Sequence, residues 1–469
     1  MLCLSVPNAA PFQRIARRVR KDCEGAVATE FRCPSPPVHS DQQILGSMTI
    51  LELISVLVAI AALFGWISAR WLKLPTTIGT MFLTVVCSLF LVSIGEYAHG
   101  LRTWAIGMAR QIDFERLILH GMLPLLLFAG AFLMDIESLI RERLTVAVLA
   151  VVGTVASTFA VAALMRWTLP VIGIRAPWLQ CMLFGALISP TDPIAVLEML
   201  RRVGVPHRIE AQLAGESLFN DGVGVVIFLT LLDASHGVTP SVPHVLISLL
   251  FSVGGGFALG IFLAWITFLL MRQVDAFQVD VLLTLSLALG GYALAQVWHL
   301  SGPLDAVAAA IALRRFNMSH CAKLIAHEQV DDFWKMVDEV QNGVLFVLLG
   351  LEVLTIPFHL SLMGSGATAI VAVLAVRLAV VALVLYGIRW TGQARESSVV
   401  LLTWGGLHGG LSLALALALP FTVGRSWILA TTYIVVVFSM VLQGGSLGLF
   451  LRRFKPTEIH PHAEQPQEL

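Results

Sequence analysis

Charged residues are scarce in this chain. Asp, Glu, Lys and Arg make up 13% of its 469 residues, whereas hydrophobic residues make up 57%. Because soluble domains contain about 25% charged residues, this composition excludes an ordinary soluble domain. The mean hydropathy is +0.84, and apolar runs of about 20 residues, the length of a bilayer-spanning helix, recur between Leu51 and Leu451. The sequence therefore predicts an all-α membrane protein.

Net charge and cysteine motifs are also lacking. Basic and acidic residues number 30 each, so the formal net charge is zero and no long-range field favours nucleic acid as a partner. The six cysteines show neither CxxC nor CxH spacing, which supports neither a structural metal site nor a disulfide framework. We expect no cofactor.

The first 47 residues lack an apolar core of the kind found in secretory signals. They are polar and basic and end in the Pro/Ser-rich stretch CPSPPVHS. We interpret residues 1–47 as a disordered extension or as residues outside the native protein, because Met48 opens a natural first span; acidic residues make a transit peptide the weaker interpretation. Residues 48–453 form the predicted transmembrane domain, and 454–469 form a short cytoplasmic tail.

Hydropathy predicts about thirteen transmembrane helices. Their expected bounds are 49–68, 75–95, 115–134, 144–166, 177–200, 210–232, 243–271, 279–298, 302–314, 333–354, 367–390, 398–420 and 426–451. Residues 97–110 are a candidate surface helix. Lys and Arg are concentrated in the odd-numbered loops and after the last span, which predicts a cytoplasmic C-terminus.

The fifth span carries prolines and a carboxylate in the stretch GALISPTDPIAVLEML. Pro190 and Pro193 each remove a backbone donor and break the helix, with Thr191 and Asp192 between them. A broken helix with a carboxylate at the break is typical of a cation site in a transporter. The alternative is a simple kink in which Asp192 caps the second half-helix.

The sixth span carries polar residues in the stretch GESLFNDGVGVVIF, residues 215–228. On a helix, Glu216 and Asn220 share one face, and Ser217 and Asp221 share the neighbouring face. The Ser217 hydroxyl and the Asp221 carboxylate can therefore present oxygen atoms together. The alternative, a solvent-exposed helix start, is disfavoured because the apolar run continues beyond Asp221.

A single arginine, Arg377, lies in the middle of the apolar stretch AIVAVLAVRLAVVALVLYGI. Arginine at this depth is costly and is normally paired with an acid. We expect an ion pair rather than a side chain that faces lipid.

Several of these stretches together resemble one family. The segment from GALISPTDP to GESLFNDGVGVVIF, followed in order by HLSGPLDAVAAAIAL, FWKMVDEVQNGVLFVLLGLEVL and TWGGLHGGLSLALALALP, is similar to the electroneutral Na+/H+ exchangers of the bacterial NhaP type, which are monovalent cation:proton antiporters with an Asn-Asp motif. The likeness extends from Met48 to about Arg453.

The resemblance implies the substrates and their ligands. Asp221 together with Asp192 would alternately bind Na+ and H+, and Thr191 and Ser217 would be further oxygen ligands of the cation. It also implies a homodimer in the bacterial inner membrane that contributes to pH and cation homeostasis, with Li+ and K+ left open as substrates.

The resemblance further implies three supporting residues. Asn220 would support Asp192 where two interrupted helices cross, and Glu216 and Arg377 would form a buried ion pair. An Asn-Asp pair in place of Asp-Asp resembles the one-for-one, electroneutral exchangers. Spans 4–6 and 11–13 have opposed topologies, and each triplet has an interrupted middle span, which indicates inverted repeats.

The chain departs from the family at two positions. Ala129 stands where many relatives have Glu, and His408 stands where relatives often have Arg. His408 either titrates and modulates activity or is a packed, satisfied histidine. Asp280 and Asp305 are secondary candidates for modulators of transport.

Other functions fit the sequence less well. A cation channel needs a pore ring or filter motif, and none is evident. An intramembrane hydrolase could use Ser217 or the GSG at 364–366 with His408, but no GxSxG elbow is present. A scaffold protein would not need Asp192, Asp221 and Arg377 at mid-membrane depth.

Overall fold

A computed structural model of the chain describes most residues between 50 and 447. These are residues 50–72, 76–93, 107, 113–192, 196–197, 200, 207–235, 242–274, 276–318, 324–355, 360–388, 396–420 and 423–447. The predicted extension 1–47, the predicted tail 454–469, Pro193 and all of the candidate surface helix except Gly107 lie outside them.

The described residues are helical. In chain order the α-helices are α1 (Ile50–Ile67), α2 (Thr76–Ser93), α3 (Phe114–Arg116), α4 (Leu123–Phe132), α5 (Ile136–Arg141), α6 (Arg143–Ala147), α7 (Thr154–Thr168), α8 (Trp178–Ile188), α9 (His207–Ser235), α10 (Val242–Met271), α11 (Phe277–Val297), α12 (Gly302–Met318), α13 (Leu324–Leu351), α14 (Leu360–Ile388), α15 (Glu396–Gly405), α16 (Gly410–Leu417) and α17 (Arg425–Val437). Within these residues the one strand-like pairing is an isolated antiparallel bridge between Asp192 and Leu407.

Wider helical turns and tight turns extend several of these helices. The π-helical turns are Ser68–Leu72, Leu117–Met122, Val148–Gly153 and Phe438–Gly444, and the 3₁₀ turns are Leu169–Ile172 and Glu352–Thr355. Thus α6 continues through Val148–Gly153 into α7, and α17 continues into Phe438–Gly444.

Seven helical stretches in the described part of the chain are long and apolar enough to cross a membrane. The most apolar is Leu362–Gly387. Large apolar side chains such as Leu250, Phe251 and Leu383 are well exposed, as expected for surfaces that face lipid rather than water. This pattern agrees with the predicted all-helical membrane fold.

Small residues let neighbouring helices approach to backbone contact. A Cβ atom at Gly185 of α8 would lie 2.3 Å from the carbonyl oxygen of Thr158 in α7, and one at Gly260 of α10 would lie 2.4 Å from that of Asp305 in α12. Such close approach is the usual means of association in lipid, where apolar side chains gain little from leaving the bilayer. The packing therefore depends on glycine at these two crossings.

One helix begins earlier than its predicted span. The tenth span was expected to start at 333, but α13 starts at Leu324. An ion pair between Arg314 of α12 and Asp331 of α13 ties this extra part of α13 to the neighbouring helix. Hydropathy did not predict the extension because its residues are mostly polar.

Candidate cation-binding site

The chain leaves helical geometry just before Asp192. Helix α8 ends at Ile188, and Ser189 still donates its backbone N–H to the carbonyl of Gly185. Pro190 has no N–H to continue the ladder, and the following residues are not helical as far as Asp192. The backbone at Thr191 and Asp192 is therefore available to partners outside its own helix.

A second segment lies against this one. Helix α15 ends at Gly405, and α16 begins at Gly410. Between them, the carbonyl of Leu407 accepts a 2.7 Å hydrogen bond from the backbone N–H of Asp192. One backbone group of each non-helical segment thus has its partner in the other segment, as irregular backbone at membrane depth requires.

Glycine permits the close approach of these segments. A Cβ atom at Gly409 would lie 2.1 Å from a carboxylate oxygen of Asp192, and one at Gly224 of α9 would lie 2.2 Å from the ring of Pro190. No side chain larger than hydrogen fits at either position without movement of Asp192 or Pro190.

Helix α9 holds the segment around Thr191 by hydrogen bonds. The Thr191 and Ser217 hydroxyl oxygens lie 2.9 Å apart. The Asn220 amide donates to the Thr191 hydroxyl at 3.0 Å and accepts from the Thr191 backbone N–H at 3.4 Å. All three side chains are about 1% exposed. Asn220 therefore binds Thr191, the residue that precedes Asp192; its predicted support of Asp192 stays a prediction.

The carboxylates of Asp192 and Asp221 line one cavity of about 490 Å³, together with Thr191 and Ser217. Both aspartates are half-buried, and their charges interact. Asn220, in contrast, is not among the residues that line this cavity. The structure thus brings together the four side chains that sequence reasoning assigned to the cation.

The cavity also holds acidic and polar residues that sequence reasoning did not single out. Asp338, Glu339 and Asn342 of α13 contribute to its wall. No Lys, Arg or His is among the described residues that line it. The sequence does contain a sign of these residues. Asp338 and Asn342 are one helical turn apart and so share a face, and the helix is apolar after Asn342.

Glu216 and Arg377 form an ion pair away from this cavity. Arg377 donates to both carboxylate oxygens of Glu216, with Nη2 2.9 Å from Oε2, and to the carbonyl of Leu402 at 3.2 Å. Glu216 is 1% and Arg377 8% exposed. A Cβ atom at Gly406 would lie 2.6 Å from Nε of Arg377, so the absence of a side chain there makes room for the guanidinium.

His408 lies in the second non-helical segment and is buried. Its Nδ1 is 3.2 Å from the carbonyl oxygen of Pro190, and its backbone N–H donates to the Ser439 hydroxyl. It is not among the residues that line the cavity. This geometry favours a packed, satisfied histidine that ties the two segments together, and it gives no Ser217–His408 pair of the kind that a hydrolase would need.

The remaining candidates lie apart from the cavity. Asp280 of α11 and Asp305 of α12 are both buried and are absent from its lining. Neither carboxylate oxygen of Asp305 has a hydrogen-bond partner among the described residues. Ala129 is fully buried in an apolar cluster while its neighbour Gly130 reaches the cavity wall.

The arrangement can bind a small cation. The carboxylates of Asp192 and Asp221 and the hydroxyls of Thr191 and Ser217 line one cavity, which has no basic residue among its described lining. A carboxylate removed from water is costly unless a proton or a cation neutralises it. Each aspartate can therefore hold either species, and the two species compete.

Comparison with known proteins agrees with this chemistry. A family profile described as "Sodium/hydrogen exchanger, transmembrane" matches residues 58–453. The Na(+)/H(+) antiporter NhaP of Pseudomonas aeruginosa is 37% identical over 425 residues, which are 89% of this chain and 99% of that protein. The Na(+)/H(+) antiporter NhaH of Halobacillus dabanensis is 29% identical over 86% of this chain and 96% of its own length.

A solved structure has a similar fold. The sodium proton antiporter MjNhaP1 from Methanocaldococcus jannaschii, at pH 8, matches 87% of this chain and 99% of its own length with a TM-score of 0.64. Its sequence identity is 20%, so this likeness concerns the fold alone.

Proposed function

Because the chain belongs to the sodium/hydrogen exchanger family, it is a multi-pass membrane transporter that exchanges Na+ for H+, and we propose that Asp192 and Asp221 carry these ions. The observation that supports the assignment is their presence in one cavity without basic residues among its described lining. Thr191 and Ser217 supply neutral oxygen ligands, which suit an alkali cation that has lost part of its water shell.

The exchange follows from competition at the two carboxylates. A proton or a cation neutralises the site, and both together do not fit comfortably at closely spaced oxygens. If only the neutralised, occupied site crosses the membrane barrier, then each inward movement of one ion is coupled to outward movement of the other. The steeper of the two ion gradients sets the direction.

The proposed architecture has thirteen transmembrane helices arranged as inverted repeats. One interrupted helix contains Pro190 and the other contains Gly405–Gly410, and they cross at the site. The backbone bond between Asp192 and Leu407 supports the crossing, because it joins the middles of the fifth and twelfth predicted spans. Alternating access would come from rocking of one helical bundle against another.

Electroneutral exchange is part of the proposal. Asn220 occupies the place where Asp-Asp relatives have a second acid, and an amide does not titrate. Its hydrogen bonds to Thr191 are consistent with a supporting role for an uncharged side chain. With fewer carboxylates to give up protons, one proton exchanges for one cation.

We also propose a location and an assembly. The excess of Lys and Arg in odd-numbered loops favours a cytoplasmic C-terminus, and bacterial relatives favour the inner membrane. The family resemblance favours a homodimer. Labelling of single introduced cysteines from either side of the membrane tests the orientation, and chemical crosslinking in the membrane tests the dimer.

Everted membrane vesicles provide the test of ion assignment. Addition of NaCl to vesicles that have built up a proton gradient should dissipate the gradient, as reported by a pH-sensitive dye. Asp221→Asn keeps the shape of the side chain but cannot bind and release a proton, so the response should be abolished. Asp332→Asn, an exposed change on α13, should respond like the unaltered protein.

Three results would contradict the proposal. An unaltered protein without any response to Na+, Li+ or K+ would remove the exchange function. A full response from Asp221→Asn would leave exchange in place but remove Asp221 from its site. A conductance in single-channel recordings would favour a channel instead.

A further inference from the structure

We propose that Asp338, Glu339 and Asn342 of α13 form a second cation subsite in the cavity, through which Na+ passes on its way to Asp192 and Asp221. Because this subsite serves the exchange described above, it depends on that function. It adds a dehydration and selection step for a monovalent cation before the cation reaches the exchanging carboxylates.

Helix α13 carries the three residues along one side of the cavity. Asp338, Asn342 and Leu345 lie at i, i+4 and i+7, which places them on one face of the helix. Leu345 lies at the level of the exchange site, because a Cβ atom at Gly410 would be 2.7 Å from Leu345, and Gly409 abuts Asp192. By helical rise, Asn342 is about 4.5 Å and Asp338 about 10 Å from Leu345 along the axis.

Asn342 has an oxygen atom that requires a ligand. Its side chain is 1% exposed, and its Nδ2 donates to Oδ1 of Asp338 at 3.1 Å. Its own Oδ1 has no hydrogen-bond partner among the described residues. A buried amide oxygen without a partner is unfavourable, and a partly dehydrated cation supplies the missing interaction. The bond to Asp338 fixes the amide so that its oxygen is the atom left available.

The exposure of these side chains decreases from Glu339 and Asp338 to Asn342, which is nearer to the level of Leu345. Glu339 is exposed, Asp338 is half-buried and Asn342 is buried. A cation that moves from Glu339 towards Asn342 therefore exchanges water for protein oxygen in steps rather than all at once. Stepwise replacement of the water shell lowers the cost of reaching a site as closed as that of Thr191 and Ser217.

The negative charge of the cavity also favours the approach of a cation. Its described lining includes the carboxylates of Asp192, Asp221, Asp338 and Glu339 and no basic side chain. A cleft lined by one sign of charge raises the local concentration of the opposite ion.

Transport kinetics distinguish this subsite from the exchanging pair. In everted vesicles, Asp338→Asn and Asn342→Leu should raise the Na+ concentration for half-maximal exchange by about tenfold, with a maximal rate close to that of the unaltered protein. Glu339→Gln should raise it by a smaller factor. Because Glu339 is exposed, folding of the Glu339→Gln variant does not depend on whether the buried core tolerates a change.

Asp332→Asn is the matched control. It removes the same charge from the same helix, but Asp332 is exposed and does not line the cavity. Its half-maximal Na+ concentration should not change. An equal rise in Asp332→Asn would show that general surface charge, and not a local subsite, is responsible.

Three further outcomes decide the proposal. Unchanged half-maximal concentrations in Glu339→Gln, Asp338→Asn and Asn342→Leu would overturn the subsite while the exchange function stands, provided that Asp221→Asn is inactive. Loss of maximal rate without a change in half-maximal concentration would also overturn it, since these residues would then belong to the exchange step. An unaltered protein that does not exchange Na+ would overturn both proposals.

Discussion

Two acidic residues of α9, Glu216 and Asp221, lie on different sides of the same helix and in opposite surroundings. Glu216 is almost fully buried, and its two carboxylate oxygens accept hydrogen bonds from the two terminal guanidinium nitrogens, Nη1 and Nη2, of Arg377. Asp221 is half-buried and lines the cavity with Asp192. The five-residue separation turns the two side chains about 140° apart around the helix axis.

This difference separates a permanent charge from an exchangeable one. Glu216 has a bidentate cation partner in the protein, so it has no need of an ion from solution. Asp221 faces a cavity in which a proton or a metal cation can take that place. One helix therefore supplies both a structural ion pair, at Glu216, and an ion ligand, at Asp221. Both residues are acids, so their surroundings decide the role of each.

Asp305 of α12 is a third case. It is fully buried like Glu216, yet neither of its oxygens has a hydrogen-bond partner in the part of the chain that the structure describes. Gly260 and Gly291 surround it closely, and a Cβ atom at Gly291 would lie 2.6 Å from its carboxylate. An isolated charge buried in such surroundings is very costly.

The largest effect on stability is expected at Glu216. Glu216→Gln leaves the buried guanidinium of Arg377 without its counter-charge, and loss of one partner of a buried pair costs about 3–5 kcal/mol. Thermal unfolding of the purified protein should therefore occur at a clearly lower temperature than for Asp221→Asn. If both variants unfold at the same temperature as the unaltered protein, the contrast between the two faces of α9 is wrong.

A double substitution sharpens the same contrast. Replacement of Glu216 and Arg377 together by apolar residues of similar volume removes both charges and strands neither. The double variant should be more stable than either single variant. An additive loss of stability would show that the two side chains contribute independently.

An intermediate effect, on exchange activity, is expected from a substitution at Gly409, which lines the cavity beside Asp192. Gly409→Ala places a methyl group 2.1 Å from a carboxylate oxygen of Asp192, which must therefore move. The displacement of Asp192 should reduce Na+/H+ exchange by about tenfold or more. Gly254→Ala is the control, because a Cβ atom there meets nothing within 4 Å. Equal activities of the two variants would show that the position of Asp192 is not critical.

The smallest effect is expected at Asp305. Asp305→Asn keeps the size of the side chain and removes its ability to carry a charge, and no hydrogen bond to a described residue is lost. The free energy of unfolding should therefore change by no more than about 1 kcal/mol, and exchange should persist because Asp305 does not line the cavity. Loss of exchange in Asp305→Asn would instead identify a further modulator of transport.

Some residues of the site could be identified from the sequence, and others could not. Asp192, Asp221 and Arg377 stand out because carboxylates and guanidinium groups are rare within apolar runs, and rarity at depth is itself a signal. Asp338 and Asn342 did not stand out, because they lie in the middle of α13, where the polar first half of the helix gives way to its apolar second half. Their position in the cavity wall depends on packing between helices that are far apart in the chain.

The sequence by itself determined the membrane class, the helical periodicity and the family, since hydrophobic length and local residue order are properties of the chain alone. Only the tertiary structure decided which face of each helix meets which partner. Glu216 met Arg377 across 161 positions of sequence, and Asp192 met Leu407. Such pairings are not encoded in any local pattern, because buried charges and broken backbones find their partners through the packing of the whole bundle.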